Sequence, residues 1–187
     1  SIELFKNHLV VGERKNGLTQ IKFTNLTTQK SQFLDFGEPT YTAYISTNFE
    51  YDTTTLRYGY TSLTTPNSVI EINLDTQEKT ILKEQVIVGG YNKELYTSER
   101  IFAKARDGVN VPISLVYKQG TVLNENTPLL LYAYGSYGYS IDAYFSAARL
   151  SLLDRGFVFA IAHIRGGEEM GRHWYEDGKL LKKLNTF

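Results

Sequence analysis

The sequence predicts a two-part fold, with an all-β antiparallel part over residues 1–87 and an α/β part over residues 88–187. In the first part, short runs alternate between apolar and polar residues, which places one face of each pleated strand against a core. In the second part, two continuous apolar runs at 129–133 and 157–162 flank a segment with helical spacing. Strand, helix and strand joined by short connections predict a βαβ unit, and therefore a parallel sheet with helices on both faces.

The strands of the first part are defined by alternation and by the turn residues between them. The predicted core-facing sets are Ile21 and Phe23, then Leu56, Tyr58 and Tyr60, then Ile70, Ile72 and Leu74. Turn-forming residues separate the runs at this spacing, which favours an antiparallel meander, as in a β-sandwich or a propeller blade. No residue pattern for chemistry occurs in this part, and we interpret its lone His8 as a surface or strand histidine.

The second part begins with a joint and a hairpin. Val88-Gly89-Gly90 marks the joint, because paired glycines interrupt regular structure. Residues 101–104 and 113–117 are predicted to form a hairpin around Asp107-Gly108, a dipeptide that favours tight hairpin turns.

The βαβ unit follows the hairpin. The apolar runs at 129–133 and 157–162 show no alternation, which predicts strands covered on both faces. Phe145, Ala148, Leu152 and Leu153 recur at helical spacing, so the helix is expected from about Asp142 to Arg155, with Gly156 as its C-terminal cap.

Composition excludes several classes of function. The 187 residues contain no cysteine, which rules out a disulfide scaffold, a thiolate zinc site and a cysteine nucleophile. Lys and Arg together number 20, as do Asp and Glu, so no net charge attracts the chain to nucleic acid or to an anionic membrane. No apolar run has the roughly 18 residues of a membrane span. The basic tail at 178–184 is interpreted as a solvated helix face.

A tyrosine- and glycine-rich segment follows the first apolar strand. Tyr134, Gly135, Ser136, Tyr137 and Gly138 lie where that strand ends, and the carboxyl edge of an open α/β sheet is where ligands bind. A phenol can donate a hydrogen bond to a developing oxyanion. The alternative interpretation is a tight turn with tyrosines packed on it.

A second glycine-rich segment follows the other apolar strand. It contains Arg165, Gly166, Gly167, Glu168 and Glu169. The two glutamates could form a glycosidase acid/base pair, but adjacent carboxylates on an extended chain diverge. A metal site with the nearby histidine lacks any regular ligand spacing. The favoured interpretation is an ion pair between Arg165 and one glutamate that shapes the loop.

No nucleophile can be assigned from motifs. The nucleophile elbow of an α/β hydrolase is G-x-S-x-G. Ser136 does not satisfy it, because position 134 is tyrosine, and the last histidine is His173. There is also no phosphate-binding loop, and we assign no cofactor and no metal.

Three segments nevertheless resemble a known family. Residues 128–138 (PLLLYAYGSYG), 149–157 (RLSLLDRGF) and 164–179 (IRGGEEMGRHWYEDGK) are similar to the prolyl oligopeptidase family of serine peptidases, and within it to the oligopeptidase B (protease II) branch. The resemblance is dense from about residue 101 onward. It implies the end of a β-propeller followed by the first half of an α/β-hydrolase domain. It also implies a cytoplasmic, cofactor-free serine peptidase that acts on oligopeptides, in that branch after Arg or Lys.

The resemblance assigns roles to matching positions. Tyr134 matches the tyrosine that supplies half of the oxyanion hole, and Tyr137 matches an aromatic residue that borders the substrate pocket. Arg165, Gly166, Gly167 and Glu169 match the loop-shaping segment. Glu168 stands where the family has a small residue, and Ala133 replaces a usual glycine.

The family's serine, aspartate and histidine all come later in its order than residue 187. We therefore expect an internal segment of a longer peptidase, without a nucleophile or base of its own, and inactive alone. Its incomplete sheet would leave an apolar edge, so we expect self-association. The alternative from a different class is a non-catalytic binding or interaction module on a hydrolase-like scaffold.

Overall fold

The protein, described by a computed structural model over residues 1–187, contains three four-stranded sheets. The first two sheets are antiparallel meanders in chain order. The first consists of β1 (Ile2–Leu4), β2 (His8–Lys15), β3 (Leu18–Asn25) and β4 (Ser31–Phe33). The second consists of β5 (Tyr41–Ile45), β6 (Thr55–Ser62), β7 (Ser68–Asn73) and β8 (Lys79–Glu84).

One core joins these two sheets, as the alternation predicts. Its eleven buried residues come from both sheets and from the loops around them: Phe5, Val10, Ile21, Phe23, Leu34, Ala43, Leu56, Tyr58, Tyr60, Ile72 and Leu74. Ile70 packs against this core only partly buried. The β2–β3 turn is formed by Asn16 and Gly17, both with positive φ, which is the conformation that a tight two-residue hairpin requires.

The third sheet is mixed. It consists of β9 (Tyr96–Lys104), β10 (Asn110–Lys118), β11 (Leu129–Tyr132) and β12 (Val158–Ala162), in the order β11-β12-β10-β9. The predicted hairpin is confirmed as β9 and β10, and the predicted βαβ unit is confirmed because β11 pairs parallel to β12. The predicted parallel arrangement is limited to β11 and β12, since β10 is antiparallel to both of its neighbours.

Helices are few and short. They are a 3₁₀ helix at Lys93–Leu95, α1 (Ala147–Leu153), α2 (Arg172–Glu176) and a 3₁₀ helix at Leu180–Thr186. None of them combines the length and the apolar character needed to cross a bilayer. The predicted joint falls between β8 and the first 3₁₀ helix, where Gly89 and Gly90 have positive φ. The division into two domains at 87/88 stays a prediction.

The predicted helix start at Asp142 is wrong, because residues 142–146 lie outside the helix and are hydrogen-bonded to the first two sheets. The Asp142 carboxylate accepts two bonds from Arg14 of β2, at 2.6 and 3.0 Å. The Phe145 N–H donates to the Thr61 hydroxyl at 3.1 Å. Helix α1 therefore begins only at Ala147.

The helix ends at Leu153, two residues before the predicted end, and Gly156 closes the turn that follows it. Gly156 has a φ of 84°, and its N–H donates to the carbonyl of Leu153 while the N–H of Phe157 donates to that of Leu152. These two bonds form the cap that a left-handed glycine allows after a helix.

The expected burial of the two apolar strands holds for only one of them. Every residue of β12 is buried, since β10 and β11 flank it. Strand β11 lies at the edge of the sheet, and its four residues are 44 to 56% exposed. A continuous apolar run therefore identifies the strand correctly, but it does not show whether the strand lies inside the sheet or at its edge.

Candidate active site

Two loops meet at one edge of the third sheet. The Tyr134 loop (residues 133–141) follows β11, and the Arg165 loop (residues 163–171) follows β12. Because β11 and β12 are parallel neighbours, their carboxyl ends lie at the same edge. A backbone hydrogen bond from the Gly138 N–H to the Gly166 carbonyl, at 2.9 Å, joins the two loops directly.

Glycines make this close approach possible. A Cβ atom on Gly166 would lie 2.1 Å from the Gly135 carbonyl oxygen, and one on Gly178 would lie 2.2 Å from the Gly166 nitrogen. Gly166 also has a φ of 100°, which side chains rarely allow. Three stretches of backbone thus pack against one another with no room for a methyl group.

Four tyrosines form a cleft beside the loops. The cleft has a volume of about 330 Å³ and is lined by Tyr132, Tyr134, Tyr137, Tyr139 and Ile141. The rings of Tyr134 and Tyr139 pack edge to face with centroids 6.0 Å apart, an arrangement that aromatic pairs prefer. Tyr134 is 45% exposed and Tyr137 is 87% exposed. The structure brings both sequence-predicted tyrosines to the same cleft.

Lys183 anchors the start of the Tyr134 loop. Its ammonium donates to the Gly135 carbonyl and, at 3.0 Å, to the Ser136 hydroxyl. These two contacts hold the turn in place. No local sequence pattern indicates this role for Lys183, which lies in the basic tail that was interpreted as a solvated face.

Arg165 does not pair with a glutamate, so that interpretation is wrong. Its side chain is 7% exposed, forms an ion pair with Asp107 in the β9–β10 turn, and donates to the Asn185 carbonyl at 2.8 Å. The hydrogen bond from Arg165 lowers the pKa of Asp107 below its ordinary value. Asp107 lies 58 positions away in sequence, and no local pattern identifies it as the partner.

The two adjacent glutamates point apart. Glu168 pairs with Arg172 at 2.9 Å on the surface. Glu169 is 3% exposed, and its Oε1 accepts from the Ile141 N–H at 2.8 Å. Burial raises the pKa of Glu169. The divergence excludes a shared acid/base role for the pair.

His163 is a buried structural group. It is 3% exposed, and its Nε2 lies 2.7 Å from the Ser114 hydroxyl, which in turn lies 2.6 Å from the Thr40 hydroxyl. Burial, with the nearby positive charge of Arg100, lowers the pKa of His163 to about 4. No three His, Asp or Glu side chains in the chain are grouped so that they could hold a metal ion.

Two family models match the chain, one in each of its two parts. Residues 1–85 match the model described as "Prolyl oligopeptidase, N-terminal beta-propeller domain", and residues 143–187 match the model described as "Prolyl oligopeptidase family". The chain belongs to the prolyl oligopeptidase family. The predicted family and fold class are therefore confirmed, and strands β1–β8 lie in the propeller match.

Individual members of the prolyl oligopeptidase family match over nearly the whole chain. Dipeptidyl aminopeptidase BI of Pseudoxanthomonas mexicana is 48% identical over 99% of this chain and 25% of its own length. Protease 2 of Moraxella lacunata is 42% identical over 98% of this chain and 26% of its own length. The chain thus spans about a quarter of the length of these curated relatives.

Solved structures of the family share the fold. Oligopeptidase B from Leishmania major superposes with a TM-score of 0.86 at 39% identity, covering 100% of this chain and 28% of that one. Oligopeptidase B from Trypanosoma brucei, solved with covalently bound antipain, superposes with a TM-score of 0.87 at 38% identity and with the same coverage of both chains.

Proposed function

We propose that this chain forms part of a serine peptidase that hydrolyses peptide bonds in short peptides. In this proposal the whole enzyme works by acyl-enzyme chemistry, needs no cofactor, is cytoplasmic and binds neither nucleic acid nor membrane. The triad lies outside these residues, so the chain alone is inactive. Residues 1–87 are the last blades of the propeller, and residues 88–187 are the first half of the hydrolase domain.

The position of Tyr134 carries the proposal. It lies at the carboxyl edge of the sheet, in a loop fixed by Gly138 and Lys183, and it lines the tyrosine cleft while 45% exposed. A donor that is held in place before the reaction stabilises a developing oxyanion without reorganisation. Tyr134 would supply one hydrogen bond, and a backbone N–H beside the nucleophile would supply the other.

Cleavage after Arg or Lys is the proposed specificity. It rests on the similarity to oligopeptidase B and fits a cleft with Tyr137 at its rim, because aromatic faces attract cationic side chains. The measurement is kcat/KM for matched peptides with Arg, Lys, Leu or Pro before the scissile bond. Preference for Pro or Leu would overturn this part of the proposal.

Tyr134→Phe in the full-length enzyme tests the mechanism. Losing one oxyanion donor is expected to lower kcat by roughly 10²–10³-fold while KM changes little. Tyr137→Phe is the matched control, because it removes a hydroxyl from the same cleft that has no oxyanion role. An unchanged kcat for Tyr134→Phe would show that the assigned role is wrong.

A further inference from the structure

The Tyr134 loop is held at three points along its length. Lys183 binds the Gly135 carbonyl, and the Gly166 carbonyl accepts from the Gly138 N–H at 2.9 Å. The third point is the Ile141 N–H, which donates to Glu169 Oε1 at 2.8 Å. Glu169 is therefore the side chain that holds the far end of the loop, where Ile141 lines the tyrosine cleft.

The neighbouring glycine makes room for this carboxylate. A Cβ atom on Gly167 would lie 2.1 Å from Glu169 Oε2 and 2.9 Å from its Cδ. The φ of Gly167 lies outside the left-handed range, so its backbone conformation alone does not require glycine. What requires glycine is the space that the buried carboxylate occupies, and the pair Gly167–Glu169 is complementary in shape.

The cost of burying this carboxylate argues against a role in packing alone. Glu169 is 3% exposed, and its Oε2 has no hydrogen-bond partner in the protein. An apolar side chain would fill the same space without that penalty. The hydrogen bond from Ile141, and after it the attraction of Arg14, oppose the rise in the pKa of Glu169 that burial causes. Arg14 also binds Asp142 at 2.6 and 3.0 Å.

Glu169 and Arg14 therefore act on consecutive residues. Glu169 holds the backbone of Ile141 from the Arg165 loop, and Arg14 holds the side chain of Asp142 from strand β2. The end of the Tyr134 loop is thereby fixed to both the third sheet and the first.

We propose that Glu169 is a positioning residue, which acts through the Ile141 N–H to fix the loop that carries Tyr134 relative to the reacting carbonyl. This inference rests on the proposed peptidase function. It assigns Glu169 no contact with the substrate, since the carboxylate is buried and bonded to backbone.

The test compares Glu169→Leu with Glu169→Gln in the full-length enzyme. Leucine cannot accept the Ile141 hydrogen bond, and a displacement near 1 Å at an active site costs about 10²-fold in rate, so kcat should fall by roughly 10–100-fold with KM nearly unchanged. The glutamine amide oxygen can accept the same bond, so kcat should stay within about threefold of wild type. Glu168→Gln is the matched control, because its exposed carboxylate pairs only with Arg172.

Two outcomes would overturn the proposal. One is a Glu169→Leu enzyme with wild-type kcat. The other is an equal decrease of kcat in Glu169→Leu and Glu169→Gln, because that result would assign the effect to the lost charge and not to the lost hydrogen bond. If Glu169→Leu does not fold, Gly167→Ala replaces it, because the added methyl group displaces the carboxylate and should lower kcat in the same way. Wild-type kcat in folded Gly167→Ala would likewise refute the role.

Hydrogen exchange at Ile141 separates this proposal from the proposed function. In the full-length protein the Ile141 amide should exchange slowly in wild type and Glu169→Gln, and faster in Glu169→Leu. Equal protection in all three would refute the positioning role even in an active peptidase. Absence of peptidase activity in the wild type would refute the proposed function, while the exchange comparison would still test the contact.

Discussion

Replacing Gly166 with alanine tests the close approach of the two loops. The new Cβ would lie 2.1 Å from the Gly135 carbonyl oxygen and 2.7 Å from its carbonyl carbon. Real Cβ atoms are essentially never closer than 3.0 Å to such an atom, so the Tyr134 loop must move by about 0.9 Å. The obstacle is backbone, which cannot rotate away as the end of a flexible side chain can.

Two free-energy costs determine how much Gly166→Ala destabilises the folded protein. Forcing a residue other than glycine into a sparsely populated positive-φ conformation costs about 1–3 kcal/mol. Overpacking against a fixed neighbour adds about 1–3 kcal/mol. Gly89→Ala is the matched control, because Gly89 has a similar φ of 89° but no atom within 4 Å of the added methyl group. Gly166→Ala should therefore be about 1–3 kcal/mol less stable than Gly89→Ala.

Urea unfolding followed by tryptophan fluorescence measures the difference. Trp174 is the single tryptophan of the chain, is 4% exposed, and accepts the Gly166 N–H through its carbonyl at 2.9 Å. Its emission therefore reports both global unfolding and the packing of this loop. Equal unfolding free energies for the two alanine variants would refute the argument from close approach.

Two further predictions concern the first part of the chain and the sheet edge. Burial raises the pKa of Glu38, but hydrogen bonds from Lys93 and Thr65 outweigh burial and hold the pKa below its ordinary value. The ionised Glu38 therefore stabilises the folded state fully above about pH 4.5, and this stabilisation is lost as the pH falls through the lowered pKa of the folded state. Glu38→Gln should lower the unfolding free energy at pH 7 by about 1–3 kcal/mol and weaken its decline on acidification; an unaltered pH dependence in urea unfolding would contradict this. Strand β11 leaves an unpaired apolar edge, so light scattering should show association of this 187-residue chain that Leu130→Lys reduces. A monomeric wild-type chain would contradict this.

Local patterns predicted the elements well where the structure depends on local chemistry. Alternation identified the strands that contain Ile21 and Leu56, and Gly156 marked the helix end, because burial on one face and left-handed φ are properties of a few consecutive residues. The start of α1 could not be found this way. Helical spacing from Asp142 was overridden by contacts with Arg14 and Thr61, which are distant in sequence.

In the site, too, some features could be predicted from the local sequence and others depend on distant contacts. The position of the Tyr134 and Arg165 loops followed from two apolar strands and their glycines, because parallel neighbours end at one edge. The partner of Arg165 could not be predicted from the sequence, because the nearby glutamates also offered a negative charge. No feature of the sequence around Asp107 marks it as the partner. Whether a carboxylate turns inward, like that of Glu169, depends on a space that only the folded backbone defines.

The contacts that hold residues 142–145 have a consequence for how the chain reaches its fold. The three hydrogen-bonded links to Arg14, Thr42 and Thr61 close intervals of 128, 101 and 84 positions. Such distant contacts form slowly when a complete chain refolds, because the entropy of closing a long loop is lost before the contact contributes any stabilisation. During synthesis, however, β2, β5 and β6 leave the ribosome before this segment does. The first two sheets can thus form before this segment and fix where α1 begins.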